Sequence, residues 1–127
     1  MKPNFVRHDA SNSAEICPIR DVLDRVGDQW SLLVLGALAG DTLRFNALKR
    51  EVEGISQQML ARTLKRLEED GLVSRKPFAV IPPRVDYALT PLGRSFLKPF
   101  SALIDWADKH HGAIRAARKS YRQQHKA

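Results

Sequence analysis

The chain has 127 residues, 43% hydrophobic and 28% charged, with a formal net charge of +7 and a pI near 10.0. That length suits one domain with tails and a modest core. With no apolar run near the length of a membrane span and no charged-then-apolar leader, a cytoplasmic protein without a membrane partner is expected.

A single cysteine excludes an internal disulfide and fits a reducing compartment. The positive charge points to a polyanion, but it is unevenly spread. Residues 113–127 hold Arg115, Arg118, Lys119, Arg122 and Lys126 with no acid, which is +5 of the +7. The other 112 residues carry sixteen bases against fourteen acids. A DNA-binding reading of that larger part must rest on local placement.

Residues 1–14 are polar and without periodicity, which predicts a mobile arm. A first helix follows Cys17, with Pro18 where a missing amide costs nothing. Its apolar face is Ile19, Val22, Leu23 and Val26, and Gly27 ends it. Asp28 is placed to cap a second helix that is apolar nearly all round, through Trp30, Leu32, Leu33, Val34, Leu35 and Leu38. This predicts a central core helix stopped by Gly40.

Leu43, Arg44 and Phe45 read as a short extended piece, and 46–52 as a short helix with Ala47, Leu48 and Val52 inward. The stretch GISQQMLARTLKRLEEDG then carries the strongest pattern. Ser56 suits an N-cap, Ile55 and Leu60 have hydrophobic-staple spacing, and Gly71 suits a left-handed end. Leu60, Leu64 and Leu67 fall on one stripe, with Gln58, Arg62 and Lys65 opposite. Gln and Arg are the side chains that contact adenine and guanine edges bidentately. A short helix, a Gly-containing turn and a longer amphipathic helix predict a helix-turn-helix.

Two strands, 72–78 and 84–90, follow, joined by a proline-containing loop and flanked by Arg75, Lys76 and Arg84. In the second, Val85, Tyr87 and Leu89 alternate with Arg84, Asp86 and Ala88, so one buried face is expected. Directly after a helix-turn-helix, such a hairpin is a wing. Thr90 and Pro91 begin another helix, with Leu92, Phe96, Phe100, Leu103 and Ala107 as a long apolar stripe and Trp106 near its end. Pro99 is expected to kink it. The stripe needs a partner: a second copy of the chain, or the chain's own domain. His110, His111 and Gly112 are expected to end this helix, leaving 113–127 as a basic helix or tail. The predicted class is α+β, mainly α. The domain spans 15–112, with a two-stranded wing.

Cys17-Pro18 with LDRVGDQW, then LRFNALKREVEGISQQMLARTLKRLEEDGLVSR, PPRVDYALTPLG and an outlying Trp106 resembles the HxlR family of MarR-like winged helix-turn-helix regulators. The resemblance covers roughly residues 16–107. It implies a homodimer joined through its first and last helices, the latter presenting Leu92, Phe96, Phe100, Leu103 and Trp106. Two recognition helices would then enter successive major grooves of a pseudo-palindromic DNA operator, with half-sites about 34–36 Å apart. By position, the recognition helix is 56–69, beginning at Ser56, and the wing is 75–84. Arg44 matches the family's basic residue in the LRF piece. Gln57, Gln58 and Arg62 are the candidate base readers, and Lys49, Lys65, Arg66, Arg75, Lys76 and Arg84 the candidate backbone holders.

Family members also sense quinones, aldehydes or oxidants through a cysteine at the position of Cys17. A thiol at a helix N-terminus favours the thiolate; the alternative is a small residue that packs and caps. With one cysteine, sensing is restricted to a Cys17–Cys17 link between subunits, a mixed disulfide or alkylation. No phosphate-binding Gly loop, zinc motif or metal-ligand spacing is present, so neither enzyme activity nor a cofactor is expected. The rival reading is a winged-helix protein-interaction module without specific DNA binding.

Overall fold

The computed structural model describes residues 17–126, so the expected N-terminal arm lies outside it. The described chain forms two compact units divided between Ser95 and Phe96. The first contains α1 (Pro18–Val26), α2 (Gln29–Ala37), β1 (Leu43–Arg44), α3 (Phe45–Glu51), α4 (Gln57–Glu69), β2 (Val73–Phe78), β3 (Arg84–Leu89) and α5 (Pro91–Ser95). The second is one helix, α6 (Leu97–Gln124). The fold is a mainly helical winged helix-turn-helix.

The helix boundaries follow local chemistry. Asp28 caps α2, its carboxylate accepting from the Ser31 amide at 2.9 Å and the Ser31 hydroxyl at 2.8 Å. The Ser56 hydroxyl caps α4 by accepting from the Met59 amide at 3.0 Å. At the other end of α4, the Gly71 and Leu72 amides donate back to the Glu68 and Leu67 carbonyls. This double closure needs a left-handed residue, and Gly71 has φ 77°.

The core lies between α2 and α4. Val34, Leu35 and Leu38 meet the stripe expected on α4, with Leu60, Leu64 and Leu67 all buried and Thr63 completing it. Leu48, Val52 and Ile55 close the helix-turn-helix from the α3 side. Two expectations fail at the edges. α2 is not buried all round, since Leu33 is 47% exposed, and it ends at Ala37, before Gly40. The apolar face of α1 buries only Val26, leaving Val22 and Leu23 exposed.

The wing is the expected two-stranded hairpin, β2 and β3, and β1 adds a third strand to its sheet, giving the antiparallel order β1-β3-β2. Two residues carry no alternation to read, and their partner lies over forty residues away in sequence. Being central, β3 also lacks the expected one-sided burial: residues 85–88 are all half-buried and only Leu89 is fully inside. Its outer face is covered by the long side chains of neighbouring strands.

Thr90 caps α5, its hydroxyl accepting from the Gly93 amide at 3.0 Å and donating to the Gly71 carbonyl. Within the second unit, α6 runs unbroken through His110, His111 and Gly112. Pro99 does not interrupt α6: it is the third residue of that helix, where no intrahelical amide bond is lost. Phe96 stacks on Phe100 at 5.8 Å and Trp106 lies 5.0 Å from His110, but no α6 residue is buried. Among the described residues no helix is long and apolar enough to cross a membrane.

A Cβ at Gly93 would lie 2.1 Å from the Leu72 carbonyl oxygen and 3.3 Å from a Leu89 methyl. Gly93→Ala is therefore expected to destabilise the domain by ~1–3 kcal/mol through overpacking, read as a lower urea midpoint. An unchanged midpoint would mean that α5 shifts without cost.

Candidate nucleic-acid interface

The exposed face of α4 carries Gln57, Gln58, Arg62 and Lys65 around Ala61. Among the described residues, none of these four polar side chains makes an intramolecular hydrogen bond or ion pair. The face thus offers two amides, a guanidinium and an ammonium to a ligand, with a small residue at its centre that lets a surface come close. Ser56, at the head of the helix, is exposed but already accepts from Met59. Ala61 was not singled out in the sequence, although its angular position between Gln57 and Gln58 marks it. Its methyl is suited to a thymine methyl.

Arg66, expected among the phosphate-holding residues, points elsewhere. Its Nη2 donates to Asp28 at 3.1 Å, while its Nε is buried without a partner. Burial pushes the Asp28 carboxyl up, but the Ser31 amide and hydroxyl and the Arg66 guanidinium outweigh this and hold it below its ordinary value. Arg25 makes a second tie, donating to Asp70 at 2.9 Å and Glu69 at 3.3 Å. The acidic end of α4 is thereby pinned to α1.

On the wing, strand register sorts the basic residues. Arg44, Asp86 and Lys76 lie in one row across β1, β3 and β2, and Arg84 and Phe78 form the next pair on that face. Arg84 grips Asp86 through Nε at 3.1 Å and Nη2 at 3.0 Å. Its guanidinium lies 4.6 Å from the Phe78 ring, with Lys76 Nζ 5.4 Å from the same ring. The hydrogen bond from Arg84 holds the Asp86 carboxyl below the usual carboxylate range against its own partial desolvation, helped by the charges of Arg84, Arg44 and Lys76. Arg75 pairs with Tyr87 and so faces the other side of the sheet. The structure therefore brings Arg44, Lys76 and Arg84 together and leaves Arg75 apart.

A groove between β1, α3 and the wing is lined by Arg44, Arg50 and Arg84. Arg50 had been passed over beside Lys49, which is exposed on α3. The wing tip, 79–83, is apolar: Val80 is half-exposed and Ile81 fully exposed, with Arg84 directly flanking it and Lys76 two residues before the end of β2. Of the candidate dimer residues, Leu92, Leu103 and Trp106 are more than half exposed, and Phe96 and Phe100 are half-buried. Cys17 is the half-buried N-cap of α1, and its side chain makes no cap bond.

This arrangement matches the HxlR-like helix-turn-helix family over residues 25–115, more than half of the chain. The chain belongs to that family. The HTH-type transcriptional regulator YtfH of Escherichia coli is 43% identical over 105 residues, covering 83% of each chain. The solved putative transcriptional regulator ytfH of Salmonella typhimurium is 42% identical, with a TM-score of 0.74 over 84% of this chain and 95% of that one. The redox regulator HypR in its oxidized form is 32% identical, with a TM-score of 0.69 over 73% of this chain and 96% of its own. As a member of the HxlR-like family, the protein is a transcriptional regulator of helix-turn-helix type.

Asp28 and Asp86 take up protons at lower pH when folded than when unfolded. Their stabilisation is complete above the unfolded value of about 3.9 and is lost as pH falls through the depressed folded values. The melting temperature is expected to be flat above about pH 5 and to fall below about pH 4. Asp28→Asn, which keeps the cap but not the charge, should lower the neutral-pH value and make the acid fall shallower. An identical acid limb in wild type and variant would remove Asp28 from this account.

Proposed function

We propose that the protein is a homodimeric repressor that binds a pseudo-palindromic duplex operator sequence-specifically. The observation carrying this reading is the uncommitted α4 face, since a helix whose Gln and Arg groups have no intramolecular partner is equipped to make bidentate contacts to base edges. Gln57, Gln58 and Arg62 read bases, and Lys65, with Lys49, Arg44, Lys76 and Arg84, holds phosphates. Arg66 is assigned to the Asp28 tie, and Arg75 and Ser56 to outlying backbone contacts. Dimerisation through α6 and α1 is supported by the exposed Leu103, Trp106, Val22 and Leu23. Occupying an operator, and so excluding polymerase, is the simplest output of such a dimer.

Selection of random duplex DNA on the purified protein is expected to enrich a two-fold-symmetric sequence with half-site centres about 34–36 Å apart. Arg62→Ala should weaken specific binding by ~1–3 kcal/mol and relax discrimination at one base position. Equal binding by wild type and variant would sink that assignment. Binding indifferent to both salt and sequence would favour the protein-interaction module.

A second reading concerns Cys17. We infer that it senses oxidants or electrophiles, supported by its place at the head of α1 and by the likeness to a redox regulator. Diamide would take two electrons from two thiolates, joining Cys17 of each subunit or Cys17 and a small thiol; a quinone would alkylate it. Treatment should release wild-type protein from the selected operator and leave Cys17→Ser bound. Retention of the wild type would reduce Cys17 to a packing residue.

A further inference from the structure

The distal half of α6 takes no part in the DNA reading above, yet it carries the densest net positive charge in the chain. Because α6 continues as one helix to Gln124, Arg115, Arg118, Lys119 and Arg122 follow helical spacing and fall within an arc of about 100°. All four are exposed, His111 lies one turn earlier on the same arc, and Lys126 follows just past the helix end. No Asp or Glu occurs after Asp108, and among the described residues no ion pair involves these side chains. Arg115 and Lys119, and likewise Arg118 and Arg122, are like charges one turn apart, an arrangement that destabilises a bare helix. A polyanion laid along this face would relieve it.

Three features select the class of polyanion. Arg115 to Arg122 places four charges over ~10 Å, about one per 3 Å, close to the ~3.4 Å between charges along one strand of duplex DNA. Three of the four are arginines, whose planar donors suit phosphate oxygens. The opposite side of the helix carries Ala113, Ala117 and Ser120, with Tyr121 toward one edge, whereas a helix lying in a membrane surface needs a continuous run of large apolar residues there. The stripe begins at residue 115, the last residue of the family match.

We propose that this face of α6 is a second, sequence-independent phosphate-binding element that engages duplex DNA in addition to the contacts made by α4. The proposal rests on the DNA-binding reading above. The test compares the full chain with a variant carrying Arg115→Gln, Arg118→Gln, Lys119→Gln and Arg122→Gln, whose helix content is first checked by circular dichroism. Both are titrated, across salt concentrations, with the minimal selected palindrome and with that palindrome extended by about one helical turn on each side. The wild type should bind the extended duplex more tightly and with a steeper salt dependence. The variant should lose that gain, its log–log salt slope on extended DNA being shallower by at least ~2 units, and should select the same operator sequence.

Specific operator binding with identical slopes for the two proteins overturns this proposal alone. Loss of binding to phosphatidylglycerol vesicles in the variant, with DNA binding unchanged, overturns it in favour of a membrane surface. Failure of both proteins to bind any duplex overturns it together with the DNA reading.

Discussion

The burial of one side of α4 against α2 is the constraint on which everything else depends. A 13-residue helix is marginal by itself in water. It persists because Leu60, Thr63, Leu64 and Leu67 are withdrawn from solvent against a helix that contributes Val34, Leu35 and Leu38. That apolar contact fixes which side of α4 faces out, and hence which residues are offered to a ligand. Rotating α4 by one residue position would bury a Gln or an Arg without a partner, which is far more costly than any surface contact is favourable.

The wing solves a different problem, that of keeping cations close together. Arg44, Lys76 and Arg84 come from three different strands and would repel one another on an open sheet face. Asp86 stands between them, and Phe78 offers its ring to two of the three cations. The acid reduces the local charge but fixes the direction of at least one guanidinium, an exchange of attraction for geometry that suits recognition of a shaped surface.

Much of the fold was legible because it is written in local chemistry. Asp28, Ser56, Gly71 and Thr90 each act within three or four residues of themselves, and each sits at the boundary expected of it. The three leucines of α4 were legible through their period. What sequence did not convey was non-local or cumulative. β1 is invisible without its partner strand. Arg66 looks like its basic neighbours until Asp28, nearly forty residues earlier, is seen to hold it. The faces of Arg75 and Lys76 separate only once the register with Tyr87 and Asp86 is known. His110, His111 and Gly112 do not end α6, because one glycine among good helix formers costs only about 1 kcal/mol, less than a break requires. The candidate base readers were legible as residue types at a spacing, whereas Ala61 and Arg50 needed the surface itself.

The tie points of α4 are unequally distributed along its length. Arg25 and Asp28, three residues apart at the junction of α1 and α2, together grip Arg66, Glu69 and Asp70, the final turn of the helix and its cap. The opening turn, apart from its own Ser56 cap, is held only by apolar packing around Ile55 and Leu60. Directional bonds at one end and non-directional contacts at the other make α4 a cantilever. Its anchored root faces the protein, and its free end carries Gln57 and Gln58. Directional bonds fix the orientation of the last turn, whereas the turn that offers these two amides is oriented by packing, which specifies direction less narrowly.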